Sequence, residues 1–166
     1  FASIAVGATS NVTCLPCESG TFSSDGSAIC NPCLAGTYQP SARSASCISC
    51  PMGTFNPVLG ASNIGACIRC PASTFSTVNG SVLCQSCPMG TSHTLLGSMN
   101  PSDCTVCPQG TYLDINKCKR CPRSYFITVL QGATSIGSCS PCPAGYETTV
   151  ASASDSNLND ASTAAT

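Results

Sequence analysis

Sixteen of the 166 residues are cysteine, grouped as eight Cys-x-x-Cys pairs: Cys14/Cys17, Cys30/Cys33, Cys47/Cys50, Cys67/Cys70, Cys84/Cys87, Cys104/Cys107, Cys118/Cys121 and Cys139/Cys142. Thiols at this spacing can do three kinds of chemistry. Two successive pairs can hold a tetrahedral zinc ion. One pair with an activated thiol can exchange electrons. Thiols in an oxidising compartment can form structural disulfides. Against zinc stands a composition with only 8% charged residues, together with glycosylation sequons. Against redox chemistry stands the lack of any helical periodicity around the pairs, since reactive pairs sit at helix starts in βαβ units. The reading is therefore that all sixteen cysteines are disulfide-bonded, with no metal and no cofactor.

Other catalysis finds no materials. His93 is the single histidine and has no ligand partner nearby in sequence, so a surface loop position is expected. Asp and Glu are scattered singly, with no pair set for acid–base work. The glycines follow the cysteine spacing rather than a nucleotide fingerprint. The chain is not expected to be an enzyme.

The elements that carry the cysteines repeat. After the second Cys of each pair comes one phrase: ESGTF at 18–22, LAGTY at 34–38, PMGTF at 51–55, PASTF at 71–75, PMGTS at 88–92, PQGTY at 108–112, PRSYF at 122–126 and PAGYE at 143–147. Pro sets φ for a turn. Gly supplies a backbone angle other residues resist, and Thr with Phe or Tyr favours a short strand. The aromatic is expected to cover a neighbouring disulfide as a miniature core. Ser replaces Gly at Ser73 and Ser124, so those two turns are expected to differ. The spacers between pairs alternate long and short from Cys50 onward. Two long ones, VLGASNIGAC at 58–67 and VLQGATSIGSC at 129–139, are alike, which suggests a two-repeat superperiod.

Aromatics make up 5% of the chain and Trp is absent, too little to fill one globular core. Disulfides, at about 2–4 kcal/mol each, must replace it. The expected fold is small and disulfide-rich, mainly short β-hairpins and loops, in an elongated tandem-repeat rod without a single large core. Residues 1–13 read as an apolar N-terminal arm that could add a strand to a partner's edge. Residues 14–150 hold the eight repeats. Residues 151–166 form a Ser/Ala/Thr/Asn-rich tail, disordered by composition unless a neighbouring subunit or sugar holds it. The sequence starts at Phe1 and reads as a mature or partial chain, with no signal peptide or transmembrane run.

A net charge of −1 argues against nucleic acid, which needs a basic face. The basic cluster Lys117, Lys119, Arg120 and Arg123 reads as a solvated edge. N-glycosylation is expected at Asn11 (Asn-Val-Thr) and Asn79 (Asn-Gly-Ser), whereas Asn31, Asn56 and Asn100 precede Pro and are excluded. Asn116-Lys117-Cys118 is a rarer form of the motif. O-glycans on exposed Ser and Thr are plausible as well.

The recurring Cys-Pro-x-Gly-Thr-Phe/Tyr…Cys-x-x-Cys unit, over about residues 14–147, resembles the ephrin-receptor-like and TNF-receptor-like cysteine-rich repeats. The resemblance implies a rod of small disulfide-joined hairpins, and it carries over no ligand-contact residue. The chain departs from receptor modules in its low charge and its lack of three-Cys clusters. By analogy with TNF-receptor-like modules, the resemblance implies Cys17–Cys30, Cys33–Cys47, Cys50–Cys67, Cys70–Cys84, Cys87–Cys104, Cys107–Cys118 and Cys121–Cys139. Cys14 and Cys142 would be left to meet between subunits. A rival scheme joins first to third and second to fourth in four modules: 14/17/30/33, 47/50/67/70, 84/87/104/107 and 118/121/139/142. The alternating spacers favour the rival; the phrase, present in short and long units alike, favours the first. Both pairings are consistent with the sequence.

The function expected from these features is a structural subunit of an extracellular, glycosylated fibre or surface coat. It would assemble head to tail through its termini. The alternative is a protein-binding cysteine-rich module of a receptor or adhesion ectodomain.

Overall fold

In a computed structural model of the chain, the described residues are 2–3, 14–25, 27–129 and 131–146. Asn11 and the 151–166 tail lie outside them. The arm contributes Ala2–Ser3, which pairs antiparallel with Cys14–Leu15.

Seven disulfides join the second Cys of one pair to the first Cys of the next: Cys17–Cys30, Cys33–Cys47, Cys50–Cys67, Cys70–Cys84, Cys87–Cys104, Cys107–Cys118 and Cys121–Cys139. They define units 1 to 7 in chain order, and Cys142 opens an eighth. The rival first-to-third scheme is thereby excluded. Its failure has a local cause, because each bond closes its own hairpin. The Thr-Phe/Tyr strand pairs with the two residues inside the next Cys-x-x-Cys, as in Thr21↔Pro32 with Phe22↔Asn31 and Thr54↔Arg69 with Phe55↔Ile68. That register sets the flanking cysteines together, with Cα–Cα distances from 5.3 Å to 5.8 Å, inside the range a disulfide spans. The same register recurs in unit 7, where Tyr125 takes the Thr position against Pro141.

The phrase closes its own turn. The Thr hydroxyl donates to the carbonyl three residues back, from Thr21 to Glu18 at 2.8 Å and from Thr54 to Pro51 at 2.6 Å, with the backbone N–H doing the same. Ser73 and Ser124 keep the left-handed conformation of the glycines they replace, with φ of 61° and 66°. The expected difference in those turns is therefore not found. At Ser73 neighbours hold the geometry: its N–H donates to the His93 carbonyl and its hydroxyl to the Asn116 carbonyl at 2.6 Å.

Three bonds recur between adjacent units. The phrase Gly donates across to the residue after the next aromatic, Gly20 to Gln39 and Gly36 to Asn56, both at 2.7 Å. That residue's own N–H reaches the following loop, Gln39 to Ala61 at 2.9 Å and Asn56 to Ser81 at 3.0 Å. A loop residue with positive φ donates back to the Cys that opened the previous unit: Arg43 to Cys17, Gly60 to Cys33, Gly80 to Cys50, Gly97 to Cys70 and Gly132 to Cys107. Loops also touch the unit two back, where Gly60 meets Gly20, Gly80 meets Gly36, Gly97 meets Gly53 and Gly132 meets Gly90. The fold is thus a quasi-one-dimensional array of two-stranded antiparallel hairpins. No α-helix occurs among the described residues.

Units 3, 5 and 7 carry the long spacers, and each ends in a single 3-10 turn: Ile64–Ala66, Pro101–Asp103 and Ile136–Ser138. The superperiod read from the spacers is a real alternation of loop shape. Aromatic cover is less uniform than expected. Phe75 and Tyr112 are buried, whereas Tyr125 and Phe126 are exposed. A small apolar cluster of Tyr112, Ala133 and Cys139, flanked by Cys121 and Ile127, joins units 6 and 7.

Candidate functional site

One position in the repeat is polar and buried: the residue directly after the Thr-aromatic strand. It is Ser23, Gln39, Asn56, Ser76 and His93 in units 1 to 5, and Leu113 and Ile127 in units 6 and 7. Burying a polar group is costly unless it is hydrogen-bonded. Four of the five meet that demand. Asn56 donates from Nδ2 to the Thr37 carbonyl at 3.0 Å and accepts at Oδ1 from the Val58 N–H at 2.9 Å. Gln39 donates to the Ser46 carbonyl at 2.7 Å and accepts from the Ser41 N–H at 3.0 Å. The Ser23 hydroxyl donates to the Ser24 carbonyl and the Ser76 hydroxyl to that of Val78.

His93 is the exception. It is 9% exposed, which corrects the expectation of a surface loop residue. The register draws it in: its N–H bonds the Ser73 hydroxyl at 3.2 Å, and its carbonyl accepts from the Ser73 N–H at 3.1 Å. Both ring nitrogens are buried without a hydrogen-bond partner. The ring instead lies beside the Cys87–Cys104 disulfide, with a ring nitrogen and the two sulfurs all within 4.8 Å of one another. Spacing along the chain concealed this, because His93 reaches Cys104 only through the loop of the long unit 5.

Cys14 and Cys142 form no disulfide within the chain and are half-buried. Fourteen cysteines are bonded inside the described array, and Cys14 and Cys142 are the two that the pairing implied by the resemblance leaves over. The cause is the pairing rule itself, which joins a second Cys to the first Cys of the following pair and so leaves the outermost two. Cys142 already holds the stance of a unit-opening Cys, its N–H donating to the Ser124 carbonyl at 2.8 Å as Cys33 does to Gly20.

Asn79 is exposed at a loop tip, and its Oδ1 accepts from the Met52 N–H at 3.0 Å. That bond leaves Nδ2, the atom a glycan takes, free of this contact. Lys117, Lys119 and Arg120 stand exposed on the strand Lys117–Arg120, with Lys119 and Asp114 paired at 3.3 Å. Exposed apolar side chains recur in the repeat: Met52 and Met89 are second after the unit-opening Cys, Leu34 directly follows it, and Leu15, Ile48 and Ile68 follow the first Cys of a pair.

The family described as tyrosine-protein kinase ephrin type A/B receptor-like matches residues 20–67 and again 61–104, together about half the chain. The chain belongs to this family. The chain is 50% identical over 48 residues to rat (Rattus norvegicus) thyroglobulin, covering 29% of the chain and 2% of that protein. It is 46% identical over 50 residues to rat sushi, von Willebrand factor type A, EGF and pentraxin domain-containing protein 1, covering 30% of the chain and 1% of that protein. The chain thus spans only a small fraction of the curated relatives it matches. It is a disulfide-bonded, cysteine-rich module of the kind found in extracellular proteins. Among the described residues no helix is long and apolar enough to cross a membrane.

Proposed function

We propose that this chain is a non-enzymatic, protein-binding cysteine-rich module of a secreted or cell-surface receptor or adhesion protein. The carrying observation is modular use. The same unit occurs as a short stretch within much longer proteins, one of them named for its sushi, EGF and pentraxin domains. An array with no large core serves such a role by presenting a long, stiff surface. The recurring exposed apolar residues supply contact area, Met89 being 81% exposed. The test is capture from the medium of cultured cells by the immobilised chain. The wild-type array should retain a defined protein that Leu34→Asp with Met89→Asp loses. Equal retention by both forms, or none by either, would count against the reading.

The fibre reading expected from sequence keeps one supporting observation, the two unbonded cysteines at opposite ends of the described array. Head-to-tail joining of Cys142 to Cys14 of a second copy would make disulfide-linked multimers. A non-reducing gel of thiol-blocked protein shows a ladder in that case, collapsing to one band on reduction. Glycosylation at Asn79 belongs to either reading and is tested by a mass shift on glycosidase treatment.

A further inference from the structure

Position 93 breaks the rule its equivalents follow. Gln39 and Asn56 return hydrogen bonds to the backbone from the same place in the repeat. The imidazole of His93 is more than nine-tenths buried and has none. What it faces is sulfur. A His nitrogen and two Cys sulfurs, mutually within 4.8 Å, are a ligand set for a soft divalent cation, and among the described residues no other such group occurs. The sulfurs are at present joined to each other, so the set is closed to metal while oxidised.

The Cys87–Cys104 bond is also more accessible than most of its equivalents. The unit-opening Cys is buried in five other units, at Cys17, Cys33, Cys50, Cys70 and Cys107. Cys87 is only half-buried, as is Cys104. Thiol–disulfide exchange needs access to sulfur. Opening this bond leaves the backbone ties of unit 5 in place: Cys87 to Ser73, Ser73 to His93, and the Ser92↔Thr105 strand pair that adjoins both His93 and Cys104. The three side chains would therefore stay together.

We propose that Cys87, His93 and Cys104 form a thiol-gated zinc site. Two equivalents of a small thiol supply two electrons and two protons, cleave the S–S bond, and leave as their own disulfide. Zn²⁺ then displaces the two thiol protons and is held by two thiolates and one imidazole nitrogen, with water in the fourth position. The module would thereby read reducing conditions and zinc together.

The test uses the full chain with Cys14→Ser and Cys142→Ser, which removes the other free thiols. Limiting phosphine reductant opens a disulfide, the phosphine being oxidised to its oxide with oxygen from water, whose two protons go to the released thiols. Alkylation and mass mapping identify the cysteines released first. Co²⁺ is then added as an optical stand-in, followed by Zn²⁺ as competitor. Cys87 and Cys104 should label first, and equimolar Co²⁺ should give a thiolate-to-cobalt absorption that Zn²⁺ abolishes. His93→Gln places the side chain of unit 2 at the same position, so it should keep the other six disulfides by mass yet lose the cobalt signal. First release elsewhere in the array overturns the proposal. So does absence of metal binding after Cys87 and Cys104 are freed, or an undiminished cobalt signal in His93→Gln.

Discussion

At Gly36 two demands of different origin meet. Its φ of 84° lies in the left-handed region, and a Cβ there would collide with the Gly80 carbonyl oxygen two units away. Gly110 has a similar φ of 82°, but a Cβ there would meet nothing within 4 Å. Gly110→Ala should therefore cost only backbone strain, about 1–2 kcal/mol. Gly36→Ala should lose roughly 1–3 kcal/mol more from overpacking, as read by urea unfolding. Equal losses would show that the backbone angle alone decides. Asn56 is fully buried, and Asn56→Ala leaves the Thr37 carbonyl and Val58 N–H without their partner. A loss of about 1–3 kcal/mol is expected, whereas replacement of an exposed neighbour such as Val58 should be nearly silent.

At the scale of one unit, the hairpin is too short to stand alone, since two paired residues on each strand bury almost nothing. The disulfide and the bonds to adjacent loops make it persist. Removing Cys70–Cys84 with the double change to Ser opens a loop whose ends are 14 residues apart, and should cost about 3 kcal/mol in the chain-entropy account. Limited proteolysis should then cut within 71–83 first. Cleavage elsewhere would mean that the unit is held by its neighbours rather than by its bond. The sequence showed the units, their phrase and their long–short alternation. It did not show why Thr holds its place, which is the hydroxyl bond to the carbonyl three residues back. Composition suggested only strand propensity. The burial of His93 was equally hidden, because nothing in one histidine among Ser, Thr and Leu marks the inward face of a loop.

Over the whole molecule, ties between units run to the next one or two, so disturbance should travel only that far. Gly36→Ala should raise amide exchange in units 1 to 4 and leave units 6 and 7 protected. Uniform loss across the array would indicate a single cooperative body instead. Electrostatics should contribute little. Lys119 and Asp114 form an exposed pair, and Lys119→Ala should change stability by less than about 1 kcal/mol. Thermal unfolding at low and high salt should nearly coincide, and a large salt shift would show that charge interactions contribute substantially to stability.

The sequence by itself determined the repeat, the disulfide character and the short hairpins, because each rests on residues close along the chain: Cys-x-x-Cys, a Gly-centred turn, and two strand residues. It left two disulfide pairings standing, since spacing constrains loop length but not which sulfurs face each other. Only the tertiary structure decided that, by aligning Thr-Phe/Tyr with the interior of the next pair. It alone also decided the roles of Gly60, Gly80 and Gly97, whose carbonyls press on glycines some forty residues earlier. His93 follows the same logic. Its neighbours Cys87 and Cys104 are brought to it by closure of the long loop of unit 5, an arrangement that local spacing does not encode.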